Sequence, residues 1–173
     1  APGPDSLSPI PDSRYNLPVN SIPASDITTK VADLCVQACS TLPPDVLAAL
    51  QRARDQEESD LGREVLARLI ENAALARDLG LPMCQDTGLA VVFVELGEEV
   101  RVESGSLREA ISAGVRQGYE QGYLRKSVVR SPLDRRNTGD NTPPVLHTEV
   151  LPGTSLKITV AAKGAGSENM SRL

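Results

Sequence analysis

Apolar residues along this chain follow first a helical period and then a strand period. From Asp26, the apolar positions Val31, Leu34, Cys35 and Ala38 recur at three- and four-residue steps, which predicts a helix. Pro43-Pro44 opens a second helix, with Val46, Leu47 and Leu50 inward and Arg52, Arg54, Glu57 and Glu58 outward. A third helix runs from about Asp60 to Leu79, where Leu61, Val65, Leu69 and Ala73 are spaced i, i+4. Gly80 suits the position just past its end, and Pro82 forbids continuation. The period then changes. Residues 89–96, LAVVFVEL, form a short, mostly apolar run that reads as a buried strand. Gly97 and Glu98-Glu99 turn the chain, and residues 100–103 are expected to pair back as a hairpin. The stretch SLRE at 106–109 is a capping box opening a helix that runs to about Tyr123. Residues 125–144 are polar and irregular. Two further strands are expected at 145–151 and 156–162, joined through Pro152-Gly153-Thr154. No internal repeat is visible. The expected fold class is mixed α/β: an N-terminal helical segment, then a mixed α/β body with short strands.

The first 24 residues differ in kind. Pro2, Pro4, Pro9, Pro11, Pro18 and Pro23 are mixed there with Ser, Asp and Asn. Proline at that density blocks both helix and ladder hydrogen bonds, so residues 1–24 are expected to be an extended or disordered arm. Residues 25–173 remain as the folded part, and 40% hydrophobic content over 173 residues suffices for one compact domain or slightly more. The formal net charge of −5 leaves no electrostatic footprint for nucleic acid or an anionic membrane. Aromatic residues make up only 2%, which argues against base stacking. No apolar run approaches the roughly 20 residues that span a bilayer, and the N-terminus lacks the charged start and apolar block of a secretory signal. Three cysteines is an odd count for a disulfide framework, so a reducing cytoplasm is the expected compartment. The chain opens on Ala1 and stops just after a glycine-rich loop, where a following element is expected; it reads as a fragment or a processed chain.

Candidate chemistry is confined to a few stretches. Cys35 and Cys39 share one face of the first predicted helix, and no further Cys or His is near them, so they read as buried core thiols. The lone histidine, His147, lies in a predicted strand more than a hundred residues later. Cys84 has a different setting. It lies in PMCQDTG at 82–88, on the loop between the third helix and the first strand, followed at once by Gln85 and Asp86. The residues leave three readings of that stretch open: an ordinary turn, a nucleophilic thiol, or a soft metal ligand of the kind iron–sulfur chemistry uses. In GYLRKSVVRSPL most of the basic residues suit a solvated loop, but Arg125 sits where the preceding helix ends and can fork onto a carboxylate. AAKGAGSEN at 161–169 follows a predicted strand, and backbone N–H groups freed by its glycines can cradle an anion. NTGDNTPP at 137–144 is turn-like in isolation.

In combination these pieces are more specific. PMCQDTG, GYLRKSVVRSPL, NTGDNTPP and KGAGSEN occur in this order, and each resembles a motif of the class I, iron–sulfur-dependent fumarate hydratases. The likeness is closest to the alpha subunit of the two-subunit form, whose relatives include L-tartrate dehydratase, and it runs from about residue 26 to the C-terminus. The resemblance implies a 4Fe-4S cluster held by three cysteines, with one iron free for substrate. It implies that Cys84 is one of those ligands, that Gln85 and Asp86 touch the substrate, that Arg125 clamps a carboxylate, and that Gly166 offers it a backbone contact. Asp86 then has an acid–base or orienting role at the reacting centre, orienting being preferred. The family often has glycine where this chain has Ala165. The chain contains no cysteine after Cys84, and the stretch that carries the family's proton-transferring residue is absent. The resemblance therefore implies the first part of an alpha subunit, inactive alone, that works with a beta subunit or C-terminal domain as a dimer or heterotetramer. The implied reaction is the hydration of fumarate to (S)-malate, a tricarboxylic acid cycle step. A tartrate dehydratase, a non-catalytic anion-binding or assembly module, and a thiol enzyme using Cys84 as nucleophile stand as alternatives.

Overall fold

A computed structural model describes residues 20–166 and residue 169. Nine elements run in the order β1 (Asn20–Pro23), α1 (Ala24–Ser40), α2 (Pro44–Gln56), α3 (Asp60–Leu79), β2 (Leu89–Gly97), β3 (Val100–Glu103), α4 (Leu107–Gln121), β4 (Val145–Leu151) and β5 (Leu156–Lys163). The mixed α/β class expected from the sequence is the one observed. Punctuation residues set the helix ends. Pro44 occupies the first turn of α2, where its missing N–H costs nothing. Ser59 caps α3 by accepting the Gly62 N–H, and Gly80 ends it in the left-handed region at φ 65°. Ser106 accepts the Glu109 N–H at 3.2 Å at the start of α4.

Helices α1 and α4 pack against each other over one face of a three-stranded sheet ordered β4-β2-β5. Alternate residues of β2, namely Ala90, Val92 and Val94, join Ile27, Val31 and Cys35 of α1 and Ile111, Val115 and Tyr119 of α4 in one buried cluster. Each large aliphatic side chain so buried contributes roughly 1.5–3 kcal/mol. The two helices approach closely because Gly118 faces α1: a Cβ there would lie 2.6 Å from the Ala32 carbonyl oxygen. β2 pairs parallel with β4 and antiparallel with β5. The turn joining β4 to β5 crosses the end of β2, taking hydrogen bonds from the Gly97, Glu98 and Glu99 N–H groups. On the opposite sheet face His147 stacks on its cross-strand neighbour Phe93, ring centroids 5.1 Å apart.

Three expectations need adjusting. First, β3 does not pair back on β2; it pairs parallel with β1 in a separate two-stranded sheet. Both edges of β2 are taken by β4 and β5, which leaves no ladder position for a hairpin partner. Second, the last residues of the expected arm are the strand β1 itself, and helix α1 starts at Ala24 rather than near Asp26; residues 1–19 lie outside the described residues. Third, α2 has no buried residue, and Val46 is exposed rather than inward. On α3 only Ala73 of the i, i+4 series is buried, while Leu61, Val65 and Leu69 are exposed. Helices α2 and α3 pack chiefly on each other, and the less exposed face of α3 carries Leu66, Ile70, Ala73 and Ala76 rather than Leu61, Val65 and Leu69. Cys35 and Cys39 are buried core thiols, as expected.

Candidate functional site

The loop between α3 and β2 is fastened at several points. The Met83 N–H donates to the Cys39 carbonyl at 2.9 Å, and the Met83 carbonyl accepts from Asn72 Nδ2 at 2.9 Å. These bonds place Cys84 at the surface with an exposed side chain. Its Sγ accepts the Asp86 N–H at 3.4 Å. Thr87 follows, 4% exposed, and its Oγ1 donates to the Arg125 carbonyl at 2.9 Å. Gly88 closes the loop at φ 60°, with its Cα against the end of β5.

The other motifs converge on this loop. Oδ2 of Asp86 accepts from the Ala165 and Gly166 N–H groups at 3.2 and 3.4 Å, so the glycine-rich loop after β5 does cradle an anion, and that anion is the Asp86 carboxylate. The Gly166 N–H that the resemblance assigns to substrate is thus directed at Asp86. Ser167 and Glu168 of the same motif lie outside the described residues. From α4, the Tyr119 hydroxyl donates to the Thr87 carbonyl at 3.0 Å, with the Gly88 carbonyl at 3.4 Å; burial pushes that phenol above its usual range. From NTGDNTPP, Asn141 is wholly buried. Its Oδ1 accepts the Ser127 and Val128 N–H groups at 2.7 and 3.1 Å, and its Nδ2 donates to the Gly88 carbonyl at 3.1 Å. Cys84, Asp86, the backbone of Arg125 and Gly166 are therefore parts of one assembly. The exposed Gln85 and the Arg125 guanidinium make no hydrogen bond or ion pair among the described residues.

Thr87, Tyr119 and Asn141 were not singled out from the sequence. Thr87 and Asn141 do lie inside quoted motifs, and a polar residue amid turn formers is the one signal that marked them. His147, on the open sheet face, joins no metal-ligand group among the described residues. Among the described residues no group of three or more His, Cys, Asp or Glu is placed to hold a metal ion. No helix among them is long and apolar enough to cross a membrane.

An iron–sulfur group is held chiefly by cysteine thiolates. Cys84 suits one corner, being an exposed, accessible thiol on a fastened loop. Cys35 and Cys39 do not suit it: burial pushes their thiols up to about 12 and about 11. Of its three cysteines this chain thus offers one, Cys84, that fits such a group.

Asp140 anchors the neighbouring loop. Burial works to raise its pKa, but hydrogen bonds from the Thr142 hydroxyl, from Arg116 and from the Thr142 N–H together hold it down at about 2. A carboxyl depressed in the folded state adds stability above its unfolded pKa and loses it as pH falls through the folded value. Acid titration between about pH 4 and pH 2 is expected to remove about 1 kcal/mol or less from this partly exposed pair. Asp140→Asn should flatten that part of the pH–stability curve measured by urea denaturation.

Residues 28–173 match the family model described as fumarate hydratase (fumerase). The chain belongs to the fumarate hydratase family. It is 37% identical over 153 residues to a Methanocaldococcus jannaschii protein provisionally named as an L(+)-tartrate dehydratase subunit alpha, covering 85% of this chain and 53% of that protein. It is 38% identical over 133 residues to "Fumarate hydratase 2" of Leishmania major, covering 75% of this chain and 23% of that protein. Against the L(+)-tartrate dehydratase subunit alpha of Escherichia coli (strain UTI89 / UPEC) the identity is 30% over 144 residues, 81% of this chain and 47% of that protein. The chain spans about half the length of the two subunit-alpha relatives, and less of the Leishmania protein.

Proposed function

We propose that this chain is the N-terminal part of the alpha subunit of a cytoplasmic, iron–sulfur-dependent hydro-lyase that interconverts fumarate and (S)-malate. The observation that supports this reading is the convergence of three separated motifs on the fourth, the loop bearing Cys84, Gln85 and Asp86. The cluster would be held at Cys84 together with two cysteines outside this sequence, and the remaining machinery would come from a beta subunit or C-terminal domain in a dimer or heterotetramer. When bound, such a group supplies an open iron as a Lewis acid that polarises a hydroxyl group.

Hydration adds hydroxide to one alkene carbon and a proton to its neighbour, with negative charge building beside a carboxylate. Arg125 grips one carboxylate of the diacid through its planar fork. Gln85 offers an amide hydrogen bond beside Cys84. Asp86, held by the Ala165 and Gly166 N–H groups, has its carboxylate fixed in direction, which suits orienting the substrate hydroxyl. Removing one such charge-stabilising donor typically costs about 10²–10³ in rate.

A second reading, an L-tartrate dehydratase alpha subunit, is favoured by the names of the Methanocaldococcus and Escherichia relatives. The test is turnover by the intact protein, purified without oxygen, on malate, fumarate and L-tartrate. Interconversion of malate and fumarate faster than tartrate dehydration is expected. The reverse preference selects the tartrate enzyme, and diacid binding without turnover of any would leave only a binding module.

A further inference from the structure

We propose that Thr87 and Asn141 are positioning residues for Arg125, a role that rests on the functional reading above. The only side-chain links between the loop at 84–88 and the segment at 125–128 among the described hydrogen bonds are theirs. Thr87 Oγ1 donates to the Arg125 carbonyl at 2.9 Å. Asn141 receives the Ser127 and Val128 N–H groups on Oδ1 and donates from Nδ2 to the Gly88 carbonyl. Both residues are nearly or wholly buried, and Asn141 sits at φ 60°, a left-handed conformation that asparagine tolerates better than most side chains. A buried amide satisfying three backbone groups in that conformation stiffens whatever it joins. Here it joins the segment carrying the exposed guanidinium to the loop carrying Cys84, Gln85 and Asp86. Neither side chain reaches the surface where a diacid would lie, so both act through Arg125.

Thr87→Val keeps the shape and removes the hydroxyl; Thr87→Ser restores it. In the intact, anaerobically purified protein, Thr87→Val is expected to raise KM for malate about tenfold while kcat changes about twofold or less and iron content stays at the wild-type level. Thr87→Ser should recover most of the loss. In an Arg125→Ala background the Thr87→Val change should have almost no further effect, because the group it positions is gone. Independently of turnover, Asn141→Ala should speed hydrogen exchange at the Ser127 and Val128 amides by about tenfold or more; if that variant does not fold, the Thr87 series decides alone. An active wild type with Thr87→Val kinetics unchanged, or with losses that add fully to those of Arg125→Ala, overturns the role. A wild type that turns over no diacid overturns the functional reading, and the role with it.

Discussion

Cys84→Ser is expected to abolish both the brown cluster absorbance and the interconversion of malate and fumarate in the intact protein. The reasons lie in the loop. Cys84 is the exposed thiol of the three cysteines, and it alone lies among the converging motifs. Cys35 and Cys39 cannot replace it, because burial in the α1 core keeps them protonated far above neutral pH. Serine differs by one atom and stays compatible with an exposed turn, so folding should survive and a loss of function can be assigned to the ligand. A hydroxyl is a harder donor and far less readily ionised than a thiol, which makes it a poor substitute at iron–sulfur clusters. Turnover should therefore fall by about 10³ or more, as when a whole electrostatic centre is removed rather than one donor. Iron analysis beside the activity assay checks the prediction: a variant with wild-type iron and turnover would exclude Cys84 as a ligand.

The second large effect concerns folding. Gly88→Val should destabilise the protein by about 3 kcal/mol or more, a large share of the 5–15 kcal/mol typical of a domain. At φ 60° any side chain is disfavoured, and a Cβ at this position would lie 2.0 Å from the Lys163 carbonyl oxygen and 2.3 Å from its carbon. Both obstacles are backbone, so no rotamer change relieves them. Gly88 also presents its carbonyl to Asn141, so displacement would loosen the site as well as the sheet. Gly139 is a natural control. Its φ is 83°, but nothing lies within 4 Å of a Cβ placed there, so Gly139→Ala should cost only about 1 kcal/mol of backbone strain. Urea denaturation of the two variants separates close approach from backbone conformation; equal losses would refute the packing explanation.

Local chemistry was the legible part of this sequence. Pro44, Gly80 and Ser106 mark helix ends because capping acts within a few residues. Non-local pairing was not legible. Nothing in residues 100–103 announces that their partner is β1 rather than β2; that follows from which strands already flank β2. Helix α3 shows the same limit: apolar residues recur at i, i+4 both at Leu61, Val65 and Leu69 and at Leu66 and Ile70, and spacing alone does not say which set is covered. The site divides in a similar way. The motifs that carry Cys84, Asp86, Arg125 and Gly166 are quoted from the sequence, and the fold brings them together. Thr87, Tyr119 and Asn141 were missed because their bonds run to backbone carbonyls 38, 32 and 53 positions away, and a backbone partner leaves no signature in side-chain identity.

The most direct test is the iron and acid-labile sulfide content of the intact protein, folded and handled throughout under argon. The account predicts a brown protein with about four irons and four sulfides per alpha chain. A folded, colourless protein containing neither would contradict it.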